Sequence, residues 1–200
     1  APLWQNMMKN VYSLGAFGIA PENFRLDVWY NNPATGVNQN YIPRQPLDGK
    51  ILLQVLNLDK IDAQQMPYPD GFFDFIPNAS TVGGLIDAQS GRIYFPVVEP
   101  FGAHLAKQIR DGLPGQEALA NQIVSQVAFQ PLYDSTKTAA QILFPNLNRY
   151  RIKGQYQSSA GSEISLNALN IPQGSVVVTA GGIKLTEGVD YTVDYNLGRV

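Results

Sequence analysis

Ser175–Val200 constrains the fold more than any other stretch of this chain. Strand-forming runs, Val176-Val-Val-Thr179, Ile183-Lys-Leu185 and Val189-Asp-Tyr-Thr-Val193, alternate with Ala180-Gly181-Gly182, Glu187-Gly188 and Asn196-Leu197-Gly198. β-branched and aromatic residues suit a pleated, half-buried surface. Glycine at the intervening positions lets the backbone reverse within two residues. The stretch therefore predicts short antiparallel hairpins, with positive φ at Gly181 or Gly182. The last turn opens a strand at Arg199-Val200, and a strand needs several more residues before it pairs stably. The first residues show neither an initiator Met nor an apolar signal stretch. The expectation is a piece of a larger polypeptide.

Two hundred residues suffice for one domain with a small appendage. The hydrophobic fraction, 44%, is ordinary, but only 15% of residues are charged, against the roughly 25% usual for soluble domains. Sixteen Gln and fifteen Asn fill the gap, a surface chemistry that suits exported proteins and parts of assemblies. Net charge is −2 and Lys and Arg form no cluster, so nucleic acid is not an expected partner. Without cysteine, disulfides, thiolate metal sites and cysteine nucleophiles are excluded. No apolar run is long enough for a transmembrane helix. A membrane β-barrel needs repeated alternating segments. Phe24–Tyr30 is one such alternation, but 14 prolines and a helical middle leave no series. The segment itself is expected to be soluble and not to span a membrane.

Along the chain, Trp4, Met7, Met8 and Val11 have helical spacing. Phe24, Leu26, Val28 and Tyr30 predict one face of a strand, turned at Asn31–Gly36 onto a second strand at Val37–Ile42. Leu52, Leu53, Val55 and Leu56 fit either a helical turn or a buried strand. Arg92–Val98 predicts a strand whose Pro96 argues for an edge position. Phe101, Leu105 and Ile109 predict a helix after Pro100. Leu119, Ile123 and Val127 predict a second helix after Pro114-Gly115. Asp134 is a candidate cap for a third, Ser135–Phe144, stopped by Pro145. From Tyr150 the patterning is wholly β. The predicted fold is α+β and predominantly β: a decorated β-sandwich-like domain with a few short helices over residues 1–149, followed by a small antiparallel module over 150–200.

Few residues could carry chemistry. His104 is the sole histidine and any hydrolytic triad would need it. No Gly-x-Ser-x-Gly elbow accompanies it, and its place off the apolar stripe predicts a solvated surface side chain. Asp59, Asp62, Asp70 and Asp74 gather around Asp70-Gly71, and hard cations favour such oxygen-rich loops. Their spacing departs from the twelve-residue calcium loop, and Pro67 and Pro69 interrupt it. The favoured reading makes Asp70-Gly71 a turn, with Asp59 and Asp62 capping backbone N–H groups. Gly181-Gly182 precedes no helix and so predicts a hairpin turn and not a phosphate cradle. Asn78-Ala-Ser80 fits the glycosylation pattern. No catalytic, metal or cofactor-binding residue is assigned.

Six stretches resemble one known family: Met8-Lys-Asn-Val-Tyr-Ser-Leu-Gly15, Asn23-Phe-Arg-Leu-Asp-Val28, Pro69-Asp-Gly-Phe-Phe-Asp-Phe75, Gly91-Arg-Ile-Tyr-Phe-Pro-Val-Val-Glu-Pro-Phe-Gly-Ala-His-Leu105, Leu132-Tyr-Asp-Ser-Thr-Lys-Thr-Ala139 and Gly174–Val200. In this order they resemble a segment of the SprA family of giant cell-surface and gliding-motility proteins. That family forms the outer-membrane translocon of the type IX secretion system, a very large β-barrel through which folded cargo leaves the periplasm. The resemblance implies a non-enzymatic soluble domain lying between or beside barrel strands. Its role would be structural or one of docking. The partners implied are the rest of the parent translocon chain, other secretion-system proteins and secreted cargo. The implied location is the cell envelope at the outer membrane, on either its periplasmic or its extracellular side. None of the matching motifs carries catalytic or metal residues. Two other readings compete: a carbohydrate-binding β-sandwich with a structural calcium at the aspartate loop, and a hydrolase built on His104.

Overall fold

Residues 8–77, 83–158, 164, 166, 168–180 and 182–200 are described by a computed structural model of the chain. The chain divides into two units, Ala1–Ser158 and Ser159–Val200. The first runs β1 (Val11–Ser13), β2 (Ile19–Asn31), β3 (Asn38–Gln39), α1 (Leu52–Val55), β4 (Ile86–Asp87), β5 (Arg92–Tyr94), a π-type turn (Pro100–His104), α2 (Leu105–Asp111), α3 (Glu117–Val127), α4 (Pro131–Asp134), α5 (Lys137–Ile142) and β6 (Tyr150–Ser158). The second contains β7 (Thr179–Ala180) and β8 (Ile183–Lys184). Mixed helices and antiparallel sheets make the architecture α+β. Helix and strand take nearly equal shares of the described residues, where the patterning predicted a β majority.

The alternation over Phe24–Tyr30 organises the first unit. Phe24, Leu26, Val28 and Tyr30 are buried while the residues between them are exposed or half-buried. Each buried side chain of this size contributes about 1.5–3 kcal/mol relative to an exposed one. β2 is the middle strand of a three-stranded sheet in the order β3-β2-β6. Its pairing with β6 sets Leu26 opposite Gly154, Val28 opposite Ile152 and Tyr30 opposite Tyr150. The register shifts between Ala20 and Arg25, where Asn23 takes φ 59°. The pairing with β6 also corrects the predicted boundary. Strand patterning begins at Tyr150, but Tyr150–Ser158 completes the sheet of the first unit, so the division falls after Ser158 and not after residue 149.

A second sheet has the order β1-β5-β4. Two expectations meet it and change. The helical spacing at Met8 and Val11 gives way to β1, because Val11 and Tyr12 pair with Tyr94 and Ile93 and Phe95 N–H donates to the Asn10 carbonyl. A helix that short is marginal alone and yields to a tertiary partner. Trp4 and Met7 lie outside the described residues. β5 stops at Tyr94, so Pro96 ends the strand instead of marking an edge; β5 is the central strand. The Leu52–Leu56 run resolves as the single turn α1, with Leu52, Leu53 and Val55 buried.

The helical middle follows its predicted stripe through Phe101, Leu105 and Ile109, all buried. In α3, Ile123 and Val127 are buried as predicted, but Leu119 is exposed and Ala120 takes the inward position. Asp134 closes α4 and does not cap the next helix. Thr136 does, its hydroxyl oxygen accepting from Ala139 N–H at 3.2 Å. The buried residues of both sheets and the helices form one core cluster.

The second unit is held chiefly by turns. Ala180 pairs with Ile183 across the predicted Gly181-Gly182 turn, and Gly182 has φ 84°; Gly181 lies outside the described residues. Bridges Glu187–Tyr191 and Asp194–Arg199 enclose the other two turns. Val200 N–H donates to the Ile164 carbonyl at 2.9 Å, and the Val200 carbonyl accepts from Ile164 N–H at 2.6 Å.

Candidate functional site

The first unit carries a cleft of about 500 Å³. It lies among β1, the exposed end of the β2–β6 pair and the helical middle. Its walls are built from local sequence upward. Tyr12 on β1 turns its ring edge to Phe95 and Phe101, with centroids 5.2 and 6.3 Å apart. Phe101 is tilted against Tyr150, with centroids 4.7 Å apart. Such aromatic pairs contribute about 0.5–1.5 kcal/mol beyond their buried area.

The π-type turn positions Phe101. Gly102 has φ −111° and ψ −108°, outside the helical region. A Cβ at Gly102 would stand 2.8 Å from the Tyr133 ring and 2.5 Å from Gln130 Oε1, so only glycine lets α4 approach this closely. The turn is then pinned by hydrogen bonds. Phe101 N–H donates to Tyr133 Oη at 3.0 Å, Phe129 N–H donates to the Phe101 carbonyl at 2.6 Å, and Gln130 Nε2 donates to Glu99 Oε2 at 3.0 Å. Lys9 Nζ donates to the Tyr133 carbonyl. Tyr150 Oη donates to the Val127 carbonyl at 2.8 Å.

Burial makes the phenols of this cluster harder to ionise. Tyr12 is pushed up to about 12, with the bond to Tyr133 opposing the shift. Tyr133 and Tyr150 are raised too, both chiefly by burial. All three phenols are neutral throughout the physiological range, and Tyr12 and Tyr150 serve as amphipathic walls of the cleft.

One side of the cleft is open because β6 has a sparse inner face. Tyr150 and Ile152 are half-buried there, Gly154 has no side chain, and Tyr156 is 49% exposed. Gly154 is required at its position: an added Cβ would come within 2.0 Å of the Arg25 carbonyl oxygen. The sequence predicted strand here, yet did not reveal the cleft. The signal available was Gly154 among alternating aromatic and β-branched residues, since glycine inside a strand marks close backbone approach.

The aspartate loop adopts the favoured arrangement. Asp59 is buried; its Oδ1 accepts from Asp70 N–H at 2.9 Å, and its Oδ2 accepts from Gly71 N–H at 3.0 Å and Gln54 Nε2 at 3.1 Å. Asp62 Oδ1 accepts from Gln64 and Met66 N–H groups, each at 2.9 Å. Asp70 Oδ1 accepts from Phe72 N–H at 3.0 Å. Asp74 Oδ2 accepts from Lys60 N–H at 2.8 Å. Burial pushes the Asp74 pKa up and so disfavours its charge, opposed by backbone bonds from Lys60 and Ile61 and reinforced by Asp59 and Asp70. The four carboxylates thus close turns. Among the described residues no group of three or more carboxylate, His or Cys side chains is arranged to hold a metal ion. Tyr68 and Phe72 are exposed beside the loop, but the Arg25 guanidinium covers the Phe72 ring at 4.8 Å.

His104 corrects its prediction. It is half-buried at the end of the π-type turn, and its Nε2 donates to the Val55 carbonyl at 2.7 Å, joining the turn to α1. The carbonyl can only accept, so that nitrogen carries the proton. Asn78-Ala-Ser80 lies outside the described residues. No helix among the described residues is long and apolar enough to cross a membrane. No protein-family model matches the chain, and no curated protein matches it.

Proposed function

We propose that this chain is a non-enzymatic docking domain of an outer-membrane secretion translocon, held in the cell envelope beside a larger barrel and acting through shape and contact. Its first unit would be a decorated sandwich-like body with the second unit as a hairpin appendage, and its partners would be translocon neighbours or passing cargo. The observation that carries this reading is the apolar cleft: its aromatic walls are braced by phenol-to-backbone bonds, and one side lies open along β6. Small, largely preformed apolar concavities are the usual form of a recognition site. The resemblance of six stretches to the SprA family supplies the cellular setting.

The hydrolase reading is weaker, since His104 engages a main-chain carbonyl. The carbohydrate reading is weaker too, since the oxygens it would offer to calcium already accept main-chain donors.

The test uses the absence of cysteine. Single cysteines at Leu132 or Gln155 on the cleft rim, and at the exposed Gln126 as control, would be placed in the full-length polypeptide and treated in intact envelopes with a thiol crosslinker. Adducts to envelope proteins from the rim positions and not from Gln126 are expected. Equal adducts at all three positions would sink the docking assignment. So would substrate turnover by the chain that one polar substitution abolishes.

A further inference from the structure

β6 is nine residues long and forms one edge of its sheet, whereas the opposite edge, β3, has only two residues. The hydrogen-bond phase of this edge follows from its register. Asn31 N–H donates to the Arg149 carbonyl, so the pair 31/149 is a hydrogen-bonded one. In an antiparallel ladder bonded and non-bonded pairs alternate. Arg151, Lys153 and Gln155 therefore direct their backbone groups toward β2, and Ile152, Gly154 and Tyr156 direct theirs outward. Among the described residues of this unit, no backbone bond reaches those outward groups. Proteins usually blunt so long an edge, and this one borders the apolar cleft, which Ile152 and Tyr156 line together with Arg151 and Lys153.

We infer that the β6 edge accepts an extended polypeptide segment as an added strand, one in which apolar side chains alternate with acidic ones. This rests on the docking assignment above and names its partner chemistry. Main-chain pairing along Ile152–Tyr156 supplies the affinity of strand addition, and side-chain pockets on one face supply selectivity. The apolar residues of the added strand lie over the cleft, beside Ile152 and Tyr156. Its intervening residues fall on the other face, beside Arg151 and Lys153. There the cations Arg25, Arg151 and Lys153 outnumber the carboxylate of Asp27, which stands opposite Lys153. Opposite charges across neighbouring strands are the favourable pairing.

The experiment titrates the full chain with a synthetic peptide of alternating valine and glutamate, following the Ile152, Gly154 and Tyr156 amides by NMR and hydrogen exchange. Saturable binding that slows exchange at these three amides is expected. Methylating alternate peptide nitrogens, which removes the pairing donors without touching the protein, should weaken binding at least about tenfold. Tyr156→Pro removes one outward donor at an exposed position and should weaken binding similarly. Lys153→Glu should weaken it about fivefold, and a valine–lysine peptide should bind less well than the glutamate one. Equal binding of the N-methylated peptide would overturn strand addition while leaving a cleft that docks partners by other contacts. Equal binding of the lysine peptide would overturn the acidic specificity. No binding of any peptide, alongside rim-specific crosslinks in the envelope, would overturn this inference and spare the docking assignment.

Discussion

The aspartate loop and the aromatic cleft are neighbours that share Phe24, whose ring packs on Phe73 and Phe75 at centroid distances of 5.6 and 5.2 Å and also lines the cleft. In sequence, the loop holds groups associated with chemistry and the cleft holds only packing residues. In the fold these roles exchange. Four carboxylates close turns, while tyrosines and phenylalanines that could have filled a core leave an open wall. A polar cluster in a loop meets a ready supply of unpaired backbone N–H groups, and those donors compete with any external ligand. Aromatic side chains on a sheet edge have no such internal competitor once the neighbouring strand residue is glycine.

If the cleft wall is a braced framework, its removal should have the largest effect in the molecule. Phe101→Ala deletes a buried ring that touches Tyr12, Phe95 and Tyr150 and should cost about 3–5 kcal/mol in denaturant unfolding. A loss under about 1 kcal/mol would show that the wall is loosely packed and that the contrast with the loop is drawn wrongly.

Alkali probes the same wall without mutation. The folded state holds the Tyr12 proton more tightly than the unfolded state, so its contribution is fully present below pH 10 and is lost as pH rises toward about 12. The shift corresponds to about 2–3 kcal/mol from Tyr12, with Tyr133 and Tyr150 adding in the same direction. Phenolate absorbance appearing together with unfolding is the expected signature. Titration of these phenols near pH 10 in the folded chain would mean that the wall is wet.

Next in size stands the loop. Asp59→Asn replaces an acceptor by a donor facing the Asp70 and Gly71 N–H groups and should cost about 1–3 kcal/mol. Added calcium should not rescue it. A calcium-dependent rise in the stability of the wild-type chain would reverse the assignment of these carboxylates to turn closure.

Legibility followed the range of the forces involved. The Phe24–Tyr30 alternation, the Phe101–Leu105–Ile109 stripe and the glycine turns near Gly182 and Gly198 were readable because each is set by neighbours close in sequence. β1 and the membership of β6 were not, because both depend on partners more than 75 residues away, Arg92–Tyr94 for one and Ile19–Asn31 for the other. The aspartates' role as turn closers was legible from their residue type and loop setting. The bond from His104 to Val55 was hidden, since it links segments that only the packed core brings together. The cleft was hidden for a similar reason: it is a gap between elements, and composition marks it only through Gly154.

The smallest expected effect separates two aspartates that look alike in sequence. Asp74 is buried and its ionised form is disfavoured by desolvation and by Asp59 and Asp70. Asp74→Asn keeps a carbonyl oxygen for the Lys60 N–H and removes that repulsion. The loss of the second backbone bond offsets the gain, so stability at neutral pH should change by less than about 1 kcal/mol. The sign of its pH dependence is the sharper reading. Because Asp74 holds its proton more tightly in the folded state, the wild-type chain loses this contribution as pH rises through the carboxylate range. The Asn variant loses nothing there, so its stability relative to wild type should improve between pH 3 and pH 7. A relative stability that falls over that interval would mean that the Asp74 charge is favoured by the fold, and the two aspartates would then act alike.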